Sequence, residues 1–281
     1  MLVTLLSRAF RAIPDIVPGK GRLARLALRP FRDATVLEDK FGNDLYLPSL
    51  QEPIALGIFA TGVYEPDTVS TIVEHLPEHG TFLDVGANVG AISLAIAAQR
   101  PAARIVSVEA DPTIAKILRE NAQRNRRQIR VIECAAGPQN GSVSFYRAPE
   151  DKFGMGSTGP QFSDDTVTLP QCRLDDLLTE PVHVIKLNVE GGELGALLGL
   201  RQTIERYHPV IVFEFADWAE ARISGQRPGG AQAFVLTLGY ELTRMDSGEK
   251  IPAPLTCGAA MIVAKYNCGP AMPTKISHVG G

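Results

Sequence analysis

Thr81-Phe82-Leu83-Asp84-Val85-Gly86-Ala87-Asn88-Val89-Gly90-Ala91-Ile92-Ser93-Leu94-Ala95 is the stretch on which the fold turns. It opens as a short apolar run of strand character, breaks at two glycines and an asparagine, and resumes as an apolar segment with helical spacing. Gly86 and Gly90 let the turn come close to a ligand where a Cβ would collide, and the helix after it presents free backbone N–H groups. Working outward, Val- and Ile-rich runs recur at Arg104–Glu109, Arg130–Ala135, Val182–Asn188 and Pro209–Phe215. Helical spacing follows the strands at Ala91–Ala98, Ile114–Arg124, Glu193–Ile204 and Ala231–Leu238, and two closing strands are predicted at Tyr240–Arg244 and Ala259–Lys265. That alternation predicts an α/β fold with a doubly wound, seven-stranded, mostly parallel sheet, Rossmann-like in plan.

The remaining segments fall into two groups. Gly137–Pro181 is a polar insertion between the third and fourth core strands, with β-like runs at Ser142–Tyr146 and Thr166–Gln171 and a tip, Asp151–Asp165, rich in Gly, Ser and Asp. A loop of this length is either a lid over a substrate or a disordered excursion. Residues 1–50 read as a basic N-terminal extension and 51–281 as the cofactor-binding domain. The first 32 residues hold Arg8, Arg11, Lys20, Arg22, Arg25, Arg29 and Arg32 against the single acid Asp15, and Leu2, Leu5, Leu6, Ala9, Phe10 and Ile13 share helical spacing. This pattern predicts a basic amphipathic helix, open to three uses: docking on the domain, self-association, or contact with a membrane surface.

Composition narrows the function. A chain of 281 residues, 45% hydrophobic, can bury one sizeable core. Its formal net charge of −3 argues against a nucleic-acid binder driven by phosphate contacts. Cys134, Cys172, Cys257 and Cys268 form no C-x-x-C pair, so neither a zinc ribbon nor a disulfide framework is indicated, and reduced thiols point to the cytoplasm. His75 and His79 are four apart, but Pro77 between them breaks the helix that would align them, and no metal role is assigned. No apolar run reaches the ~20 residues of a membrane-spanning helix, and no secretory cleavage pattern is seen.

The glycine turn implies a nucleoside ligand at the carboxyl end of the sheet. One strand over, Val108-Glu109-Ala110-Asp111 places an acid where it can accept both hydroxyl protons of a ribose. A dinucleotide site would call for G-x-G-x-x-G, and here Asn88 stands at the middle glycine. Asp84 would repel a pyrophosphate yet can hold a cationic amino-acid arm, which favours S-adenosylmethionine over a nicotinamide cofactor.

The run Val184-Ile185-Lys186-Leu187-Asn188-Val189-Glu190-Gly191-Gly192-Glu193-Leu194, following that turn, resembles the signature of the FkbM family of S-adenosylmethionine-dependent methyltransferases. Asp84-Val85-Gly86-Ala87-Asn88, Leu174-Asp175-Asp176-Leu177-Leu178, Phe213-Glu214 and Gly239-Tyr240-Glu241 match as well. The resemblance implies O-methylation of a sugar, natural product or other small hydroxyl acceptor. It also implies that Asp84, Gly86, Asn88 and Gly90 line the methionine portion of the cofactor, with Glu109 at the ribose and Ala135 near the adenine; Ala110 and Asn188 complete the cofactor-binding candidates. One departure stands out: the family's pattern is Lys-x-Asp-x-Glu-Gly-x-Glu, and Asn188 replaces its aspartate. An amide takes no proton at neutral pH, which keeps a second reading open, a cofactor-binding module with reduced turnover and a regulatory or scaffold role.

Methyl transfer to an alcohol is an in-line displacement helped by a base within hydrogen-bond reach. Asn188, Glu190, Glu193, Glu214 and Lys186 are the catalytic candidates, gathered where the fourth and fifth core strands end. Each has a structural alternative: Glu193 as a helix-start acid, Lys186 as the partner of a buried carboxylate. Glu65 beside Tyr64 and Trp218 beside Asp217 are further candidates for the acceptor side.

Overall fold

A computed structural model describes residues 2–14, 19–31, 34–149, 152 and 154–267; Asp15, Arg32, Asp151 and Cys268 lie outside them. In chain order the protein opens with α1 (Leu2–Arg11), α2 (Lys20–Leu28), a hairpin of β1 (Thr35–Glu38) and β2 (Asp44–Leu47), then α3 (Pro53–Thr61) and α4 (Pro66–His75). The doubly wound unit comes next: β3 (Thr81–Val85), α5 (Ala91–Gln99), β4 (Arg104–Glu109), α6 (Pro112–Arg124) and β5 (Ile129–Glu133). The insertion contributes β6 (Ala135–Ala136), β7 (Gly141–Tyr146) and β8 (Thr166–Cys172). The second half is β9 (Val184–Leu187), α7 (Glu193–Gly199), α8 (Arg201–Tyr207), β10 (Val210–Ala216), α9 (Asp217–Glu220), α10 (Gly230–Thr237), β11 (Tyr240–Arg244), β12 (Lys250–Ile251) and β13 (Ala259–Tyr266).

The main sheet runs β12-β11-β13-β10-β9-β3-β4-β5. β3 is parallel to both β4 and β9, and β10 to β9, while β13 lies antiparallel between β10 and β11. The order reverses beside β3, the topological switch point at which such sheets open a crevice for a ligand. Phe82 and Leu83, neighbours on β3, are both fully buried and belong to apolar clusters on opposite faces of the sheet. Helices therefore cover both faces, which explains why the core strands read as unbroken apolar runs rather than alternating ones.

Three expectations are corrected in detail. The sheet has eight strands rather than seven, because the two-residue β12 pairs with the edge of β11. The third core strand stops at Glu133 instead of reaching Ala135. Ala135 and Ala136 leave the main sheet to pair with Gln171 and Cys172 in a separate sheet of order β6-β8-β7, so the insertion starts from a strand of its own. The helix expected over Glu193–Ile204 breaks at Leu200 into α7 and α8. The break is stabilised from outside: Gln202 N, Thr203 N and Thr203 Oγ1 all donate to the Asp175 carboxylate, at 2.9, 2.9 and 2.8 Å. A remote carboxylate thus supplies the N-terminal cap that Leu200 cannot.

The N-terminal 50 residues share a core with the cofactor-binding domain. Ala24, Leu28, Leu37, Leu45 and Leu47 pack in one cluster with Ile54, Phe59, Val89, Leu94 and Ile114. Phe10 of α1 lies against Phe59 with ring centroids 5.0 Å apart, and Ser7 Oγ donates to the Phe59 carbonyl at 3.0 Å. One face of the amphipathic extension therefore docks on the domain. α4 ends at His75, ahead of Pro77, so His75 and His79 do not share a helix. Among the described residues, no helix is long and apolar enough to cross a membrane.

Candidate active site

The carboxyl ends of the central strands open onto a cavity of about 450 Å³. Its inner wall is Gly86, Glu109, Ala110, Cys134, Ala135 and Asn188; the insertion supplies the outer wall through Phe145, Gly154, Gly156 and Thr158. The loop after β3 is held from several sides. Gly86 takes φ 77, and a Cβ there would sit 1.9 Å from the Asn188 carbonyl oxygen, so only glycine lets the loops after β3 and β9 meet. Asn88 is itself left-handed at φ 51; its backbone N–H donates to Glu109 Oε2 at 2.9 Å and its side-chain Nδ2 to the Gly154 carbonyl at 3.3 Å. Glu109 accepts a second backbone N–H, from Asp111, on its other oxygen at 2.9 Å. Burial outweighs these donors and holds the Glu109 carboxyl at about 7.

Beneath this loop lies a buried ion pair. Lys186 Nζ is 3.3 Å from Asp84 Oδ1 and donates to the Gly86 carbonyl at 2.9 Å, while Ser93 Oγ donates to Asp84 Oδ2 at 2.6 Å. Burial alone would push the Lys186 ammonium down; Asp84 above all, then Glu65 and Glu214, outweigh it and hold it above its ordinary value.

A second cavity, about 160 Å³, adjoins the first and shares Gly86, Gly154, Asn188 and Glu190 with it. Glu52, Glu65, Glu190 and Glu214 line it together with Tyr64, Lys186 and Trp218. Asp84 is fully buried and is absent from the walls of both cavities, a difference from its expected place at the methionine portion. Its carboxylate secures the glycine loop from below instead. Burial first, then repulsion from Glu214, holds Glu190 at about 7 against the attraction of Lys186. Glu214 is raised by burial and by Glu65, again against Lys186. Glu52, only 1% exposed, is pushed by burial to about 7. Glu52 Oε2, Glu65 Oε2 and Asn188 Oδ1 are buried acceptors without a hydrogen-bond partner. The wall therefore presents hydrogen-bond acceptors and negative charge, and its one ammonium is already matched to Asp84.

Four of the five catalytic candidates, Lys186, Asn188, Glu190 and Glu214, meet on this second cavity. Glu193 does not: its side chain is 2% exposed, and Oε1 accepts the Val189 backbone N–H at 2.9 Å, bracing the loop between β9 and α7. Of the cofactor candidates, Gly86, Glu109, Ala110, Ala135 and Asn188 line the larger cavity, Asn88 lines the smaller one, and Gly90 takes φ 88 as the residue before α5. The insertion is an ordered cover over its described part. Ser157 Oγ and Gln161 Nε2 both donate to the carbonyl of Glu190, at 2.7 and 2.9 Å, and Glu190 itself is left-handed at φ 53. Glu52, Ser157 and Gln161 escaped sequence reasoning. Glu52 directly precedes Pro53 and looks like an ordinary helix-start acid, and no local pattern ties the insertion to a carbonyl some thirty residues away.

The residues present suit a nucleoside cofactor with a cationic amino-acid arm. The larger cavity pairs apolar walls at Ala135 and Phe145 with the Glu109 carboxylate, and the orphaned Asn188 Oδ1 lies at the boundary between the two cavities.

Comparison with known proteins gives this geometry a family. The model of the Methyltransferase FkbM domain matches residues 84–242. Hexuronic acid methyltransferase AglP of Haloferax volcanii is 24% identical over 152 residues, covering 53% of this chain and 61% of its own. Release factor glutamine methyltransferase of Escherichia coli is 33% identical over 187 residues, covering 60% of this chain and 64% of its own. The chain thus spans about three fifths of the length of the curated relatives it matches. Among solved structures, methyltransferase FkbM from Methylobacillus flagellatus superimposes with a TM-score of 0.44 at 18% identity, over 74% of this chain and 52% of that one. The family match begins at Asp84 under the glycine loop and runs through both cavity walls to Leu242 on β11, so this chain belongs to the FkbM methyltransferase family, and its cofactor is S-adenosylmethionine.

Proposed function

We propose that the protein methylates a hydroxyl oxygen of a small, polyhydroxylated and uncharged acceptor. The observation that carries this reading is the acceptor-rich wall of the smaller cavity, Glu52, Glu65, Glu190 and Glu214, opening onto the cofactor-sized cavity at Gly86, Asn188 and Glu190. The carboxylate oxygens left without a donor, Glu52 Oε2 and Glu65 Oε2, are matched by sugar or polyol hydroxyls, each of which brings one. A uronate carboxylate would add negative charge to a cluster of carboxyl groups that already raise one another's proton affinity, and would meet a lysine already held by Asp84. In this respect the acceptor differs from a hexuronic acid, named for the Haloferax relative.

The larger cavity would hold the adenosyl group, with Glu109 placed to take the ribose hydroxyls and Ala135 and Phe145 to flank the base. Bound there, S-adenosylmethionine supplies an electrophilic methyl group. Glu190, whose carboxyl stands at about 7, is the general base: it accepts the hydroxyl proton as the acceptor oxygen becomes nucleophilic. Glu214 and Glu65 orient the neighbouring hydroxyls. Asn188, an amide, directs its free acceptor oxygen at the junction without adding charge. Lys186 fixes the glycine loop through the Gly86 carbonyl, and the Gly154–Gln161 cover excludes water.

The test is incubation with methyl-labelled S-adenosylmethionine and a panel of neutral sugars, polyols, uronates and carboxamides. S-adenosylhomocysteine should form with a neutral polyol and the label should lie on oxygen. Cofactor binding with no turnover on any hydroxyl acceptor, or label on nitrogen or carbon, refutes the proposal.

A further inference from the structure

α2 packs on the domain through Lys20, Ala24 and Leu28, all buried, on one side of the helix. Its other side exposes Arg22, Arg25 and Arg29 together with Leu23, 51% exposed, and Leu26, 61% exposed. Arg22, Arg25, Leu26 and Arg29 ring a shallow hollow with Gln51 and no acidic residue. Among the described residues, none of these three arginine side chains makes an ion pair or hydrogen bond, so their charge is free for a partner. Leu5 on α1 is a third exposed leucine of the N-terminal segment, 56% exposed. The rest of the chain is acidic enough to bring the total to −3 despite this basic segment, so the charge is segregated.

We propose that the outer face of α2 seats on an anionic lipid surface, with Arg22, Arg25 and Arg29 taking headgroup phosphates and Leu23 and Leu26 entering the headgroup layer. Helices that lie in a membrane interface combine these two features, and neither alone would suffice. Free phosphate would satisfy the arginines but not two exposed leucines beside them. A second copy of the chain, meeting this face about a two-fold axis, would oppose arginine to arginine. A nucleic acid would profit from aromatic side chains on which bases stack, and the hollow has none. The acidic remainder of the protein is repelled by the same surface, which orients the molecule with α2 toward the lipid.

The experiment is flotation of the full chain with vesicles of phosphatidylcholine alone or mixed with phosphatidylglycerol. Binding should require phosphatidylglycerol and weaken with added sodium chloride. Arg22→Gln, Arg25→Gln and Arg29→Gln combined should weaken partitioning on the order of 100-fold, and Leu23→Ser with Leu26→Ser should also release the protein. All five side chains are exposed, so both variants should keep the melting temperature and cofactor affinity of the parent, measured alongside. Equal flotation of parent and variants, or no flotation with the mixed vesicles, overturns the proposal. So does release by inorganic phosphate beyond that by chloride of matched ionic strength, displacement by polyuridylate, or an arginine-dependent dimer in light scattering without lipid binding.

Discussion

Position 188 carries an amide where the FkbM pattern has a carboxylate, and the surrounding charges show what this changes. Glu65, Glu190 and Glu214 already repel one another, and Lys186 is the cation that answers them. A neutral Asn188 keeps Glu190 no higher than about 7, where it is half ionised near neutral pH. As pH falls through that value Glu190 gains its proton and can no longer accept one, so the rate should fall on the acid side. Glu190→Gln should lower kcat by roughly 10²- to 10⁴-fold and abolish that acid limb, with the affinity for S-adenosylhomocysteine little changed in calorimetry. Asn188→Asp adds a negative charge beside Glu190, so the acid limb should move to higher pH while activity at alkaline pH is kept. Initial rates across the pH range decide both; an unmoved limb in Asn188→Asp would place the titrating group elsewhere.

At the scale of elements, Asp175 illustrates what one side chain can do at a distance. Its carboxylate caps α8 through two backbone N–H groups and the Thr203 hydroxyl. Asp175→Ala should therefore cost about 1 to 2 kcal/mol of unfolding free energy, in the range of a lost N-cap, measurable by urea denaturation; a loss below a few tenths would mean α8 is held by packing alone. The same interaction marks the limit of what can be read from sequence. The apolar run through Glu193–Ile204 has unbroken helical spacing, and nothing local announces that a residue on the far side of the insertion's final strand restarts the helix. Strands β3, β4, β9, β10 and β13 were legible because each is largely apolar and bounded by turn residues, and β11 because buried Tyr240 and Leu242 alternate with polar neighbours after Gly239. The β1–β2 hairpin and the pair Ala135–Ala136 were not, since two to four residues carry no usable period. In the active site, the glycine loop, Glu109 and the Lys186–Glu190 run were legible because they are contiguous motifs. The burial of Asp84 under the loop and of Glu193 beneath its turn depends on which way a side chain points, and motif spacing is silent on that.

The whole molecule buries more acid than it neutralises. Glu52, Glu109, Glu190 and Glu220 stand at about 7 and Glu193 at about 8, against the ordinary 4.5. Because these folded values lie above the unfolded one, the native state binds more protons than the unfolded chain across that interval. The contribution to stability is then full below pH 4.5 and is lost as pH rises through 7 to 8. Growing repulsion within the acidic remainder of the chain acts in the same direction. The melting temperature of the cofactor-free protein should accordingly fall from mildly acidic pH toward pH 9. Glu193→Gln isolates one contribution, since glutamine keeps an oxygen for the Val189 N–H and never ionises. It should raise the melting temperature by about 2 to 4 °C at pH 9 and leave it unchanged at pH 5. S-adenosylmethionine brings positive charge to a site short of it, so its stabilising effect should be larger at pH 8.5 than at pH 6, where Glu190 and Glu52 are already mostly protonated. Scanning calorimetry with and without cofactor at the two pH values checks this directly. Equal increments would mean that the buried carboxyls do not sense the cofactor's charge, and would remove Glu190 and Glu52 from its neighbourhood.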